Sequence, residues 1–259
     1  SGGPLTTSIS VVCTTYMNAV GEISQNRVTA EPGAYYRDFE KKTLAKGLIL
    51  PSFPASRELC AMGGIVSNNS GGEKNIQYGK TERYVTRLWA VFADGNEYEI
   101  KPLSGPELEK KLALHTFEGD AYRKISSLIM ENFERIKRAK PAVSKNSAGY
   151  ALWNVWNPDT RIFDLTKLFV GSQGTLGIIT KAEFRLVPVK KYSKMIVIFL
   201  PNIDLLSELT ATILPHKPES YEAYDDHTLK LALKFFPSFA KLLGAKNVLS
   251  IAWSFLPEL

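Results

Sequence analysis

The feature that most narrows the fold is a run of bare backbone. Residues 54–72 read PASRELCAMGGIVSNNSGG. Gly63-Gly64 and Gly71-Gly72 lie eight positions apart, and Ser56, Ser67, Asn68, Asn69 and Ser70 add only small or amide side chains. A tight turn needs one glycine or two, so four in this space require another reason. A flexible linker is one reason, but a linker is normally followed by a fresh polar segment. Here residues 61–66 (AMGGIV) put apolar side chains around the first glycine pair, which predicts burial. Buried backbone leaves N–H groups that must find acceptors. Successive bare amides can cradle a phosphate or a carbonyl-rich ring. Asn68 and Asn69 could donate and accept beside them. The residues leave two readings open, a ligand cradle and a buried, tightly packed corner.

A second stretch points the same way. Residues 170–180 read VGSQGTLGIIT, with Gly171, Gly174 and Gly177 three positions apart and a strand pattern following at once. It is not the dinucleotide fingerprint, because no amphipathic helix follows and no acidic residue closes a second strand.

Periodicity supplies the surrounding elements. Residues 8–16 (SISVVCTTY) are rich in β-branched side chains and predict a strand; residues 27–31 predict a second, ended by Pro32-Gly33. Residues 35–46 predict an amphipathic helix stopped by Gly47. Residues 88–93 and 97–101 predict two strands joined by a hairpin at Asp94-Gly95. Residues 120–137 predict one long helix with Ile125, Leu128, Ile129 and Phe133 on one face. Residues 178–188 predict a strand. After Lys190-Lys191 the rhythm becomes strand (195–200), helix (203–214), strand (218–224), helix (226–236), as at the start of a second α+β unit. The expected boundary lies near residue 190.

Composition excludes several classes. With 259 residues, 44% of them hydrophobic and 22% charged, the chain can build a core without disulfide or metal staples. Its two cysteines, Cys13 and Cys60, are expected to be buried reduced thiols. No apolar run approaches the roughly 20 residues of a membrane span. The net charge of +6 is spread over lysines with acids between them, which fits a solvated surface better than a nucleic-acid face. An acidic ligand is compatible with that charge. His115, His216 and His227 are isolated and expected on the surface or on helices.

The segment PASRELCAMGGIVSNNSGGEKNIQYGKTERYV, the strand–DG–strand unit after it, KNSAGY, and LFVGSQGTLGIITKAEFRLVP occur in this order. Together they resemble the FAD-binding domain of the vanillyl-alcohol-oxidase or PCMH-type flavoproteins. The branch they resemble contains D-lactate dehydrogenases, the glycolate oxidase flavin subunit and D-2-hydroxyglutarate dehydrogenases. The resemblance is dense over residues 1–190 and looser over 191–259. It implies an α+β fold, with a PCMH-type FAD-binding domain at 1–190 that lacks its N-terminal subdomain. The beginning of an α+β substrate domain would follow at 191–259. It also implies that the chain is incomplete at both ends, with Ser1, Gly2 and Gly3 as the tail of a pyrophosphate loop.

In proteins of that family the first stretch lies along the flavin. The resemblance therefore assigns cofactor contacts to Pro54, Ser56, Ala61, Met62, Gly63, Gly64, Asn68, Gly71 and Gly72, with Tyr78 and Gly79 beside them. Gly174, Gly177 and Ile178 would meet the adenosine side. Many relatives carry a hydroxyl residue where Ala61 stands and a glutamate where Gln173 stands. The lost hydroxyl removes one hydrogen bond of about 1 kcal/mol. No histidine falls in these motifs, so the expected FAD is non-covalent, and no metal ligand set is expected. The implied reaction is hydride transfer from a D-2-hydroxy acid (lactate, glycolate or 2-hydroxyglutarate type) to FAD. Lys145, Asn146 and Tyr150 are the candidates for holding the substrate, and no catalytic base is assigned. A quinone, cytochrome or iron–sulfur protein would accept the electrons, in a cytoplasmic setting or at the membrane periphery. A non-catalytic FAD-holding subunit of a larger redox complex is the alternative.

Overall fold

The computed structural model describes residue 7, residues 9–143, residue 146 and residues 148–244. Within the described chain, two compact units form, residues 1–220 and 221–259.

The first unit is α+β. It opens with β1 (Arg27–Ala30), α1 (Tyr36–Leu44), the short β2 (Leu48–Ile49), α2 (Met62–Ser67) and α3 (Asn75–Tyr78). The strands β3 (Val85–Val91) and β4 (Glu97–Ile100) follow, then helices α4 (Gly105–Leu112), α5 (Phe117–Glu131) and α6 (Phe133–Arg138). A short pair, β5 (Trp156–Asn157) and β6 (Ile162–Phe163), precedes α7 (Thr166–Phe169), β7 (Ile178–Arg185), β8 (Val187–Pro188) and α8 (Leu206–Ile213). The second unit contains α9 (Asp226–Leu243).

The main sheet has the order β1-β7-β3-β4 and is antiparallel throughout. Alternation sets its inner face: Val28, Ala30, Leu88, Ala90, Ile100, Ala182 and Phe184 are all buried. Phe39 of α1 meets Phe184 edge-on, with ring centroids 5.8 Å apart. Phe39 is fully enclosed, so its truncation to Ala should cost about 3–5 kcal/mol. Strand β7 runs through the middle of the sheet and begins at the second glycine-rich stretch. The core thus fixes where that stretch stands.

Several expected elements appear with altered ends, each for a local reason. The 88–101 hairpin turns on three residues, Ala93, Asp94 and Gly95, rather than two. Gly95 N–H bonds Phe92 O, Phe92 N–H bonds Asn96 O, and Gly95 sits at φ +80°. The expected long helix breaks at Asn132, whose side-chain amide donates to Leu128 O and diverts the backbone.

The expected strand at 8–16 is not formed among the described residues. Residues 13–17 make a turn closed by Met17 N–H to Cys13 O, and Gly33 N–H bonds Met17 O. The stretch 195–200 has no regular structure and no ladder partner among the described residues, and Ile196 and Phe199 are more than four-fifths exposed. Strand propensity does not make a strand where no neighbour offers hydrogen bonds. Residues 218–224 likewise carry no strand.

Candidate functional site

The two glycine-rich stretches meet. Gly171 N–H bonds Val66 O at 3.0 Å, and Gln173 N–H bonds Ser67 O at 2.9 Å. The Gln173 side chain donates to Asn68 Oδ1 at 3.1 Å. Gln173 and Gly174 both take positive φ, +56° and +77°, inside a turn closed by Thr175 N–H to Ser172 O. That geometry is a type I′ turn, which favours glycine at such positions.

The first stretch is folded as α2 and the loop after it. Asn69 anchors that loop. It sits at φ +45°, its amide donates to Glu82 Oε2 at 2.9 Å, and its Oδ1 accepts from Glu82 N–H at 3.0 Å. Asparagine tolerates left-handed backbone because its short polar side chain bonds locally. Thr81, fully buried, donates to Ser70 O from both its amide and its hydroxyl, each at 2.9 Å.

A third segment joins them. Lys80 Nζ donates to Asn146 O, and the Tyr150 and Thr175 hydroxyls share a hydrogen bond of 2.6 Å. Residues 66–72, residues 78–82, Asn146, Tyr150 and residues 171–177 therefore form one hydrogen-bonded group. Lys145, like Ser1, Gly2 and Gly3, lies outside the described residues.

The glycines differ in what surrounds them. A Cβ on Gly63 would lie 2.6 Å from Pro32 Cβ, and one on Gly72 would lie 2.3 Å from Phe53 O. No real Cβ comes so close, so these two are demanded by the protein's own packing. Met62 N–H and Gly63 N–H already donate to Ala34 O and Pro32 O at 2.8 Å each, and the Met62 side chain is core. Gly71 is tight against Asn75 and Lys80, and Gly79 at φ +69° lies against the Arg83 side chain. Gly64 and Gly174 are different: nothing lies within 4 Å of either added Cβ, and both are exposed. Gly177 opens β7 with its Cβ position 2.8 Å from Val91 O, and Ile178 next to it is half exposed. Pro54 and Ala61 are half-buried and Ser56 is exposed on the approach to α2.

The sequence reading named Asn69 as a donor and acceptor beside the glycines, where its side chain instead ties the loop to Glu82, and it missed Lys80, Thr81, Ser172 and Thr175. The Asn-Asn-Ser run before Gly71 carried a signal for Asn69, since asparagine is favoured at positive φ. The other four become visible only when the segments meet. Cys13 and Cys60 are free and half-buried rather than buried. Burial pushes the Cys60 thiol above its ordinary range, which disfavours the thiolate beside α2. His115, His216 and His227 are all exposed. No described helix is long and apolar enough to cross a membrane.

Residues 1–101 match the family described as FAD binding domain. The chain is 30% identical over 240 residues to the glycolate oxidase subunit GlcD of Bacillus subtilis, covering 91% of this chain and 40% of that protein. It is 26% identical over 237 residues to a D-2-hydroxyglutarate dehydrogenase of Pseudomonas putida, covering 90% of this chain and 23% of that one. Among solved structures, an alkyldihydroxyacetonephosphate synthase aligns at TM-score 0.41 and 20% identity, over 68% of this chain and 22% of that one. The chain thus spans less than half the length of these relatives.

The site suits such a cofactor on its own terms. Gly64 and Gly174 leave open backbone on a rim made by both stretches. Ser172 Oγ in the second stretch and Asn75 Oδ1 in α3, just after the first, are buried polar atoms without a partner among the described residues. Such atoms ordinarily require a ligand or solvent bond. Residues 1–101 are similar to the FAD binding domain family, and that match indicates FAD as the cofactor.

Proposed function

We propose that the protein is part of an FAD-dependent oxidoreductase that oxidises a D-2-hydroxy acid of the lactate, glycolate or 2-hydroxyglutarate type. The observation that carries this reading is the hydrogen-bonded meeting of residues 66–72, Asn146, Tyr150 and residues 171–177 around open glycine backbone. The printed names of the two relatives, a glycolate oxidase subunit and a D-2-hydroxyglutarate dehydrogenase, support the substrate class.

In this reading Gly64, Asn68, Gly71 and Gly174 hold FAD without a covalent bond, and Ser172 supplies a hydroxyl to it. Bound FAD would take the two electrons that leave the α-carbon as hydride, while the hydroxyl proton passes to a base and a 2-oxo acid forms. The protein's part is to place the acid. Asn146 and Tyr150 stand on the loop tied to both stretches, and Lys145 between them and Ser144 would offer a cation to the substrate carboxylate. Residues 1–190 form the flavin domain and 191 onward the start of a substrate domain, consistent with the end of the strands at Pro188. A quinone, cytochrome or iron–sulfur protein takes the electrons onward, in the cytoplasm or at the membrane periphery.

The test is the flavin released on denaturation after incubation with FAD, followed by dye reduction with D-lactate, glycolate and D-2-hydroxyglutarate. Near-stoichiometric FAD and turnover on one of these acids is the expected result. FAD without turnover, measured on a chain extended at both ends, would instead identify a flavin-holding subunit. Absence of FAD from that longer chain would overturn both.

A further inference from the structure

The cations that look scattered along the sequence converge at one end of the main sheet. Where β1 begins and β7 ends, a cleft of about 460 Å³ is lined by Arg27, Arg83, Arg87, Lys101, Lys167 and Arg185. Asp164 is the one carboxylate among its lining residues. One oxygen of that carboxylate is already engaged by Thr166, whose amide and hydroxyl donate to Oδ1 at 2.9 and 2.6 Å. Its other oxygen lies 3.7 Å from Lys167 Nζ. Carboxylates outside the lining serve three more of the cations: Glu183 pairs with Arg27 at 3.1 Å, Glu99 with Arg87 at 2.7 Å, and Glu107 with Lys101 at 3.7 Å.

Arg83 and Arg185 have no ion-pair partner among the described residues. Arg185 donates to Arg83 O at 3.2 Å and lies over the Tyr84 ring, so its guanidinium is held in place by neutral groups. In the ladder, Arg185 stands directly opposite Arg27. Like charges directly opposite each other destabilise a strand pair. A fixed guanidinium facing another across a cleft is a fork that suits an oxyanion.

We infer that this cleft binds a small multivalent oxyanion, a phosphate ester or a polycarboxylate. Four of the six cations are matched by Glu183, Glu99, Glu107 and Asp164, and the two arginines left over, Arg83 and Arg185, favour an anion with two charges. The volume falls in the range of small-molecule sites. The place lies far from the second glycine-rich stretch and adjoins the first side of the cradle only through Arg83. Arg185 and Gly177 lie at opposite ends of β7, roughly 25 Å apart along an extended strand. Arg83, which also lies against Gly79, is the side chain that connects the two regions.

The experiment titrates inorganic pyrophosphate, and separately citrate, into the protein saturated with FAD, at physiological salt, by calorimetry. Saturable binding of one anion per chain is expected, and the preferred anion identifies the source. Arg185→Gln and Arg27→Gln should each weaken it at least about tenfold. Lys181→Gln, on the same face of the sheet but outside the cleft, should bind as the parent does. A thermal melt of each variant separates lost binding from lost fold, and the two arginines give two independent chances of a folded variant. Absence of saturable binding overturns the inference. So does displacement of the anion by FAD, or an equal loss in Lys181→Gln.

Discussion

At Gly63 and Gly72 of the first glycine-rich stretch the backbone is ordinary and the neighbours are close; at Gly174 of the second the backbone is unusual and the turn stands clear. Gly63 and Gly72 have no positive φ, yet a Cβ at either would enter Pro32 or the Phe53 carbonyl. Gly171 and Gly174 sit at φ +93° and +77°, and a Cβ at Gly174 would meet nothing. Glycine is thus required once by contact and once by conformation. Gly64 is a third case, because neither its neighbours nor its backbone demand it. A glycine that the protein itself does not require is the one whose open face is available to a ligand.

This contrast can be broken by substitution. Gly72→Ala should have the largest effect, about 3 kcal/mol of destabilisation, since backbone rather than a pliable side chain blocks the new methyl. A urea melt would measure it, and a loss below about 1 kcal/mol would show that Phe53 moves aside easily. Gly174→Ala should cost about 1–2 kcal/mol through left-handed backbone alone. If it costs as much as Gly72→Ala, contact and conformation are not separable here.

Loss of the Asn68–Gln173 bridge should matter less. Asn68→Ala and Gln173→Ala, combined in a double-mutant cycle, should show a coupling of about 0.5–1 kcal/mol for an exposed side-chain bond. Gly64→Val should change stability least of all, because helix propensity no longer suffers from glycine and no atom is displaced. Its flavin content should nonetheless fall sharply. Unchanged flavin in Gly64→Val would remove this face from the cofactor site.

Much of this architecture is legible in the sequence because it is local. The β1 and β7 strands alternate, β3 does so only between register shifts at Val85/Arg87 and Trp89/Ala90, and the helix at 36–44 carries its apolar stripe and stops near Gly47. The strands at 8–16 and 195–200 are misread for one physical reason: β-branched composition reports compatibility with a sheet, not the presence of a partner. At the site, the glycine pairs announce themselves, but their division into packing and open positions depends on Pro32 and Phe53, which approach from elsewhere in the chain. Ser172 and Lys80 are ordinary polar residues until the stretches meet. The arginine cleft is the extreme case. Arg27, Arg83 and Arg185 are far apart in sequence, and only strand register brings them together, so a count of charge along the chain disperses what the sheet concentrates.

The unpaired segment at 195–200 has a practical consequence for anyone holding this protein in a tube. Six uncharged residues, MIVIFL, present β-branched side chains and a backbone without ladder partners among the described residues. That is the chemistry from which cross-β stacking starts. Lys190, Lys191 and Lys194 stand just before it as electrostatic gatekeepers. Their repulsion is screened as ionic strength rises. The colloidal lifetime of a concentrated stock should therefore shorten with added salt, well before the buried core begins to loosen, and storage in dilute, low-salt buffer should extend it.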